Sequence, residues 1–196
     1  MVKRAFDIFF SAIALLFVGL LLPILALLVV LDSGWPVFYR GWRAGLHGEP
    51  FRILKLRTMV RDAEKRGGAE TANDDPRITR VGAFLRRYKL DELPQFINVL
   101  LGHMSVVGPR PEVLDEVEQY DAIQRELLSV RPGITDWASI KFRHEGEILR
   151  GASDPKQIYH ERIQPEKIRL GLKYVQEQSL LVDISILAGT VKAILE

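Results

Sequence analysis

The chain has 196 residues, with 27 Lys and Arg against 25 Asp and Glu, and no cysteine. That length fits one globular domain with a membrane element beside it, and a formal charge of +2 names no partner until the charges are placed along the chain. Without cysteine there are no disulfides, no thiolate metal sites and no Cys nucleophile, so any metal is held by oxygen or imidazole.

The first element is apolar. Ile8 to Leu31, "IFFSAIALLFVGLLLPILALLVVL", carries no charge and at helical rise is about 36 Å long, enough for a hydrocarbon core of about 30 Å. It is too long for a signal-peptide core, and no small-x-small cleavage site follows it before Asp32. Two features argue against a plain span. Pro23 lies inside the run, where it removes a backbone donor, leaves the Gly19 carbonyl without its usual partner and favours a kink. Lys3 and Arg4 precede the segment, and Arg40, Arg43, Arg52, Lys55, Arg57 and Arg61 follow it, so both ends favour the cytoplasmic side. Arms of roughly 22 and 13 Å on either side of Pro23 are each too short to cross. Re-entry and a kinked full span both remain open, since kinked spanning helices are common.

Residues 35 to 59, "WPVFYRGWRAGLHGEPFRILKLRTM", place β-branched and aromatic residues around a Gly-rich centre and predict a hairpin with a long turn. Trp35, Phe38, Tyr39 and Trp42 sit either at headgroup level or against the domain. Residues 61 to 76 are polar and Gly-containing and read as a mobile surface loop, a candidate lid. "RITRVGAFLRRYKL" then sets Ile78, Val81, Phe84 and Leu85 on one helical face.

In "LDELPQFINVLLGHM" the apolar residues Leu93, Phe96, Ile97, Leu100 and Leu101 follow helical spacing, so a helix is predicted over 92–102, stopped near Gly102. Asp91 is then its N-cap and Glu92 favours the positive helix end. Spacing alone favours that capping role over chemistry. The neighbours point the other way: Arg86, Arg87 and Lys89 flank the acids, and Arg110 in "VGPRPE" and Arg131 in "VRPGIT" follow. Prolines at 109 and 111 restrict the backbone around Arg110, and a guanidinium fork suits phosphate bidentately while Lys55 acts as a point charge. A carboxylate among such cations is expected to stay ionised, as a nucleophile or Mg²⁺ ligand must. Each cation taken singly also fits a surface role.

Residues 112 to 130 predict an acidic amphipathic helix ended by Pro132 and Gly133. Trp137 reads as a core anchor. Two further helices are predicted beyond residue 155, the last of which, "SLLVDISILAGTVKAILE", suits either a core or a membrane-surface position. His47, His103, His144 and His160 show no metal-ligand spacing, and no Walker A, dinucleotide or nucleophile-elbow motif is present.

"LKLRTM" (54–59), "DPRITRVGAFLRR" (75–87), "LDELPQFINVLLGHMSVVGPRPE" (90–112) and "VRPGITDWA" (130–138) occur in the order and approximate spacing of the bacterial sugar transferases, the monotopic polyprenol-phosphate phosphoglycosyltransferases. The chain resembles their small catalytic-core form over nearly its whole length. The resemblance implies an α/β, mostly helical fold: a re-entrant helix-break-helix over 1–34 broken near Pro23, then a cytosolic-face catalytic domain over 35–196 with a small β-hairpin and amphipathic membrane-surface helices. It places the protein at the bacterial inner membrane with both helix ends cytoplasmic. It implies transfer of a phosphosugar from a UDP-sugar donor to polyprenol phosphate as the first membrane step of surface glycan assembly, releasing UMP, with Asp91 as nucleophile forming a covalent phosphosugar enzyme, Glu92 assisting, and Mg²⁺ held at Asp91 and Glu92. Lys55, Arg57, Arg86, Asn98, Arg110 and Arg131 match positions expected to line the phosphate site. Asp136 and Ser139 stand where many relatives have Gly and Gln, so Asp136 either contacts the donor or caps a turn. Membrane lipid is an expected partner, nucleic acid is not, and the sequence leaves a homo-oligomer open. Two other classes compete: a Mg²⁺-dependent lipid phosphohydrolase using the same carboxylates, and a membrane-anchored scaffold without chemistry.

Overall fold

The computed structural model describes residues 2–67 and 71–195. Helix α1, Val2–Ser33, is long and apolar enough to cross a membrane, which fits membrane anchoring. The structure does not separate two helices at Pro23: α1 keeps helical conformation through it, as a proline-kinked helix does. Pro removes one hydrogen bond, but apolar neighbours on both sides favour keeping the rest of the backbone ladder intact where water is scarce.

Both ends of α1 are fastened to the same domain. Near the start, the Asp7 carboxylate accepts hydrogen bonds from Ser105 Oγ at 3.0 Å and the Val106 N–H at 3.1 Å and pairs with Lys3. Arg4 donates to the carbonyls of Val99 and Leu100. At the other end Asp32 accepts from the Val81 N–H, and Arg57 donates to the carbonyls of Ser33, Gly34 and Trp35. Leu25 and Val29 pack with Val37, Leu56 and Leu85, while Leu16, Phe17 and Leu20 are exposed.

The predicted hairpin is present. Strand β1 (Phe38–Tyr39) pairs antiparallel with β4 (Lys55–Leu56), and β2 (Trp42–Ala44) with β3 (Pro50–Arg52), around a turn in which His47 and Gly48 have positive φ. The four aromatics divide: Trp35 and Trp42 are exposed, and Phe38 and Tyr39 pack against the core. Helix α2 (Arg80–Arg87) is capped by Thr79, whose Oγ1 accepts the Gly82 N–H. Gly82 is required by close approach, because a Cβ there would lie 2.0 Å from the Thr58 carbonyl oxygen. Leu85 is buried as expected, but Phe84 is exposed and lies against Tyr88.

After a 3-10 turn at Leu90–Glu92 and helix α3 (Gln95–Leu100), the chain turns at Gly102, φ +88°. Strand β5 (Ser105–Val107) and β6 (Gly133–Thr135) form a parallel pair that the sequence reading did not contain. It seats Gly108 on Gly133, where a Cβ on Gly133 would meet the Gly108 nitrogen at 2.1 Å. The long helix expected over 112–130 is interrupted. Helix α4 covers Leu114–Glu118, and a 3-10 stretch covers Gln124–Ser129. Between them Asp121 accepts the Gln124 N–H and Gln124 answers to the Asp121 N–H, a side-chain alternative to helical bonding.

Short helices α5 (Trp137–Lys141), α6 (Glu145–Ile148) and α7 (Pro155–Ile158) lead into a π-helical turn, Tyr159–Ile163, then α8 (Gln164–Glu177) and α9 (Leu180–Leu195). Phe51, Ile53, Val99, Met104, Val106, Val107, Tyr174 and Ile186 form the central core, with Trp137 packed on it. Helix α9 buries Asp183 and Ile186 but exposes Leu181, Ile184, Val191 and Ile194. Much of its apolar surface therefore lies outside the core, as a membrane-surface helix would have it. The expected surface loop is anchored in part: Asn73 N–H donates to the Gly146 carbonyl, Ala72 is buried with Leu149, and Arg77 is paired with Asp75. Residues 68–70 of that loop lie outside the described residues.

Candidate active site

Asp91 is not the N-cap of a helix. Lys89, at φ 55°, reverses the chain after α2, and Asp91 and Glu92 sit in the 3-10 turn that follows; Pro94 takes the cap position of α3. The turn points the two acids into different surroundings. Glu92 Oε1 receives Lys55 Nζ at 2.8 Å and Arg110 Nη2 at 2.7 Å. Asp91 is 7% exposed, and its Oδ1 has no hydrogen-bond partner.

Each cation arrives on a fixed piece of backbone. Lys55 opens β4, and Asn98 holds the approach to it by accepting the Leu54 N–H at 2.9 Å and donating to the Arg52 carbonyl at 2.9 Å. Arg110 follows β5 between two prolines, and that segment is pinned to β6 by Gly108 N–H to Thr135 O and Gly133 N–H to Pro109 O. Arg86 comes from the last turn of α2 and donates through Nε to Thr58 Oγ1 at 2.9 Å. Three cations thus surround two carboxylates, which leaves positive charge for an anionic ligand.

The charges are not shared as the sequence suggested. Burial, followed by the neighbouring Glu92 charge, pushes the Asp91 carboxyl above its ordinary range, against the pull of Lys55, Arg86 and Lys89. Burial also works against Glu92, but Arg110 and Lys55 outweigh it and hold that carboxyl well below its ordinary range. Glu92 in turn raises the Arg110 guanidinium, while burial lowers the Lys55 ammonium despite Glu92. The cations lower both carboxyls, but burial outweighs them at Asp91 and they outweigh burial at Glu92, so their main beneficiary is Glu92.

Four predicted residues are placed elsewhere or otherwise engaged. Arg57 caps the end of α1, with Ser33 Oγ among its acceptors. Asn98 bonds backbone at both ends of its amide and so fixes the segment that carries Lys55. Arg131 donates to the Gly102 carbonyl at the far end of α3 and lines a cavity of about 330 Å³ with Lys3, Arg4 and His47, away from the dyad. Asp136 is the N-cap of α5, accepting the Ser139 N–H at 2.6 Å, and burial raises its carboxyl. Gln95 was missed. It lies one helical turn after Asp91, is 2% exposed, and its Nε2 has no partner; a polar residue interrupting the apolar face of "LPQFINVL" was the available signal.

Among the described residues no group of three or more His, Asp or Glu converges as a metal cage. Mg²⁺ does not need one, since it commonly takes one or two carboxylates with waters and substrate phosphates. The unpartnered Asp91 Oδ1 beside Glu92 fits that pattern.

A domain fastened to both ends of an apolar helix, with a buried carboxylate among cations, fits a membrane-anchored protein with a site suited to anionic ligands. Residues 1–196 match the family model described as bacterial sugar transferase, and the chain belongs to that family. It is 40% identical over 194 residues to the UDP-glucose:undecaprenyl-phosphate glucose-1-phosphate transferase of Escherichia coli (strain K12), covering 97% of this chain and 39% of that protein. It is 41% identical over 197 residues to the exopolysaccharide production protein PSS of Rhizobium leguminosarum bv. phaseoli, covering 96% of this chain and 92% of that protein. A third relative, 35% identical over 199 residues, is the UDP-N-acetylgalactosamine-undecaprenyl-phosphate N-acetylgalactosaminephosphotransferase of Aeromonas hydrophila, with 99% of this chain and 44% of that protein covered. The chain thus spans less than half of the first and third relatives and nearly all of the second.

Proposed function

We propose that the protein transfers a phosphosugar from a UDP-sugar to undecaprenyl phosphate, giving a polyprenyl diphosphate sugar and UMP, through a covalent aspartyl intermediate. The observation that carries this reading is the buried Asp91 Oδ1, left without a partner beside Glu92, Lys55, Arg86 and Arg110. Burial raises the energy of its charged form, and a poorly solvated carboxylate is a better nucleophile than one bound by several donors. Asp91 attacks the β-phosphorus and the bond from that phosphorus to the α–β bridging oxygen breaks, so UMP leaves. A phosphate oxygen of undecaprenyl phosphate then attacks the same phosphorus, and the bond to Asp91 breaks, returning the carboxylate. No net proton transfer is required in either step. Arg110 and Lys55, already oriented by Glu92, face the negative charge that the diphosphate brings. Asp91 and Glu92 would hold Mg²⁺, which when bound neutralises phosphate charge and orients the leaving group.

The re-entrant reading of α1 is supported by its two ends: Arg4 and Asp7 on one side, and Asp32 and Ser33 on the other, bond to the same domain. We place that domain on the cytoplasmic face of the inner membrane, where UDP-sugars are made and the flanking cations favour both ends. Cysteines introduced at positions 2 and 35 in sealed spheroplasts should both resist an outside reagent; labelling of one alone means a full span.

Incubation with a UDP-sugar, Mg²⁺ and undecaprenyl phosphate should release UMP and form lipid diphosphate sugar. Without acceptor, an increase in intact mass by one phosphosugar should appear on wild type and not on Asp91→Asn. Phosphate release from the lipid without any nucleotide sugar would instead identify the phosphohydrolase, and silence with every donor the scaffold.

A further inference from the structure

Arg110 and Glu112 line one small cavity, and Glu112 leads to polar groups that phosphoryl transfer does not use. Glu112, two residues on, has its carbonyl tied to the Ala44 N–H at 3.0 Å, and its Oε1 accepts the Tyr159 hydroxyl at 3.4 Å. Tyr159 opens the π-helical turn at Tyr159–Ile163, a rare geometry that recurs at functional sites. Lys167 on α8 lies 4.8 Å from the Tyr159 ring centroid and pairs with Glu145 of α6 at 2.6 Å. Glu112 joins these groups to the small cavity it shares with Arg110. Two carboxylates, a phenol and an ammonium are therefore gathered beside the arginine that pairs with the dyad.

In-line displacement by Asp91 places the departing UMP oxygen opposite the attacking carboxylate. The sugar oxygen of the β-phosphate is then equatorial, so the sugar ring projects sideways from the phosphate that Arg110 holds. Glu112, Tyr159 and the Lys167–Glu145 pair form a connected polar cluster that begins two residues from Arg110. Carboxylates accept pairs of ring hydroxyls, and ammonium and phenol groups donate to them. Resting on the transferase reading, we propose that this wall is the donor-sugar subsite and that Glu112 is a specificity-determining residue, accepting hydroxyls of the hexose attached to the β-phosphate. A site built to bond a hydroxyl discriminates strongly against a donor that presents it elsewhere, because its buried acceptor is left unpaired.

UMP release is to be measured with UDP-glucose, UDP-galactose and their N-acetylhexosamine counterparts, on wild type, Glu112→Gln and Tyr159→Phe. For Glu112→Gln the ratio of kcat/KM between the best donor and its 4-epimer should fall by about tenfold or more, and for Tyr159→Phe by a smaller factor. Inhibition by UDP, which carries no sugar, should stay within about twofold of wild type. An active wild type whose donor ratio is unchanged in both variants, or variants that lose all donors and UDP affinity in parallel, overturns the subsite alone. A wild type silent with every donor overturns the transferase reading and the subsite with it. Should Glu112→Gln fail to fold, the Tyr159→Phe ratio decides.

Discussion

Two aspartates, both nearly excluded from water, are treated in opposite ways by this chain. Asp7, at the start of α1, takes a hydroxyl from Ser105, an amide from Val106 and the Lys3 ammonium, which also pairs with Asp183 at 2.9 Å. Asp91 keeps one oxygen bare, while the cations around it bond to its neighbour Glu92. On the proposed mechanism the contrast is between a structural acid and a reactive one. Where a carboxylate fastens a helix, the fold satisfies it; at Asp91 the fold withholds partners and lets a second carboxylate hold the cations in place.

The largest effects test that contrast directly. Asp91→Asn should reduce UMP release by at least about a thousandfold while leaving Tm unchanged or raised. The sign follows from linkage: a carboxyl raised by burial is a net cost to the folded state once pH exceeds its folded value, and Asn removes that cost. Wild-type turnover should correspondingly fall on the acid side with a midpoint above the ordinary aspartate value of roughly 3.9. Asp7→Ala should do the reverse. It orphans the Val106 amide and leaves Lys3 to Asp183 alone, destabilising the fold by about 4 kcal/mol, or about 10 °C in a thermal melt. Activity assayed well below that Tm should be kept. A melt unchanged by Asp7→Ala would erase the distinction.

Much of this was legible in the sequence where a pattern was local. The hairpin followed from β-branched residues around Gly45 and Gly48, α2 from its apolar spacing behind Thr79, and the halt of α3 from Gly102. What escaped was long-range. The parallel β5–β6 pair joins segments some 28 residues apart by order of magnitude, and short strands of three residues carry little periodicity. The dyad's reversed electrostatics escaped for the same reason: adjacency in sequence showed two acids among cations, and only the turn after Lys89 decides which acid receives them. Arg57 and Arg131 look alike as basic residues in motifs, yet one grips α1 and the other the end of α3. A guanidinium's partners are set by where carbonyl ends are left open, which spacing does not report.

Glu92→Gln is the next test. It leaves the Lys55 and Arg110 charges facing each other without their shared acid, and should destabilise by about 3 kcal/mol, the low end for a broken buried pair because the Arg110 side chain is 36% exposed. The wild-type pH profile gives the same interaction independently. Glu92 is held well below its ordinary value, so its stabilisation is fully present above the unfolded carboxyl value and disappears as pH falls through the depressed folded one. Its acid limb in Tm should vanish in Glu92→Gln.

Asp136→Ala is the smallest effect and the sharpest discriminator between a cap and a ligand. Asp136 is 2% exposed and its Oδ1 accepts the Ser139 N–H at the start of α5. Loss of an N-cap costs about 1 kcal/mol, a Tm drop of about 3 °C, and Asp136→Asn, which retains an accepting oxygen, should recover most of it. Because its carboxyl is raised by burial, removing the charge relieves part of that penalty and keeps the loss small. As a cap, Asp136 leaves donor KM unchanged in both variants. A KM that rises severalfold in Asp136→Asn with Tm intact would instead put this carboxylate in contact with the donor and extend the sugar wall from Glu112 to α5.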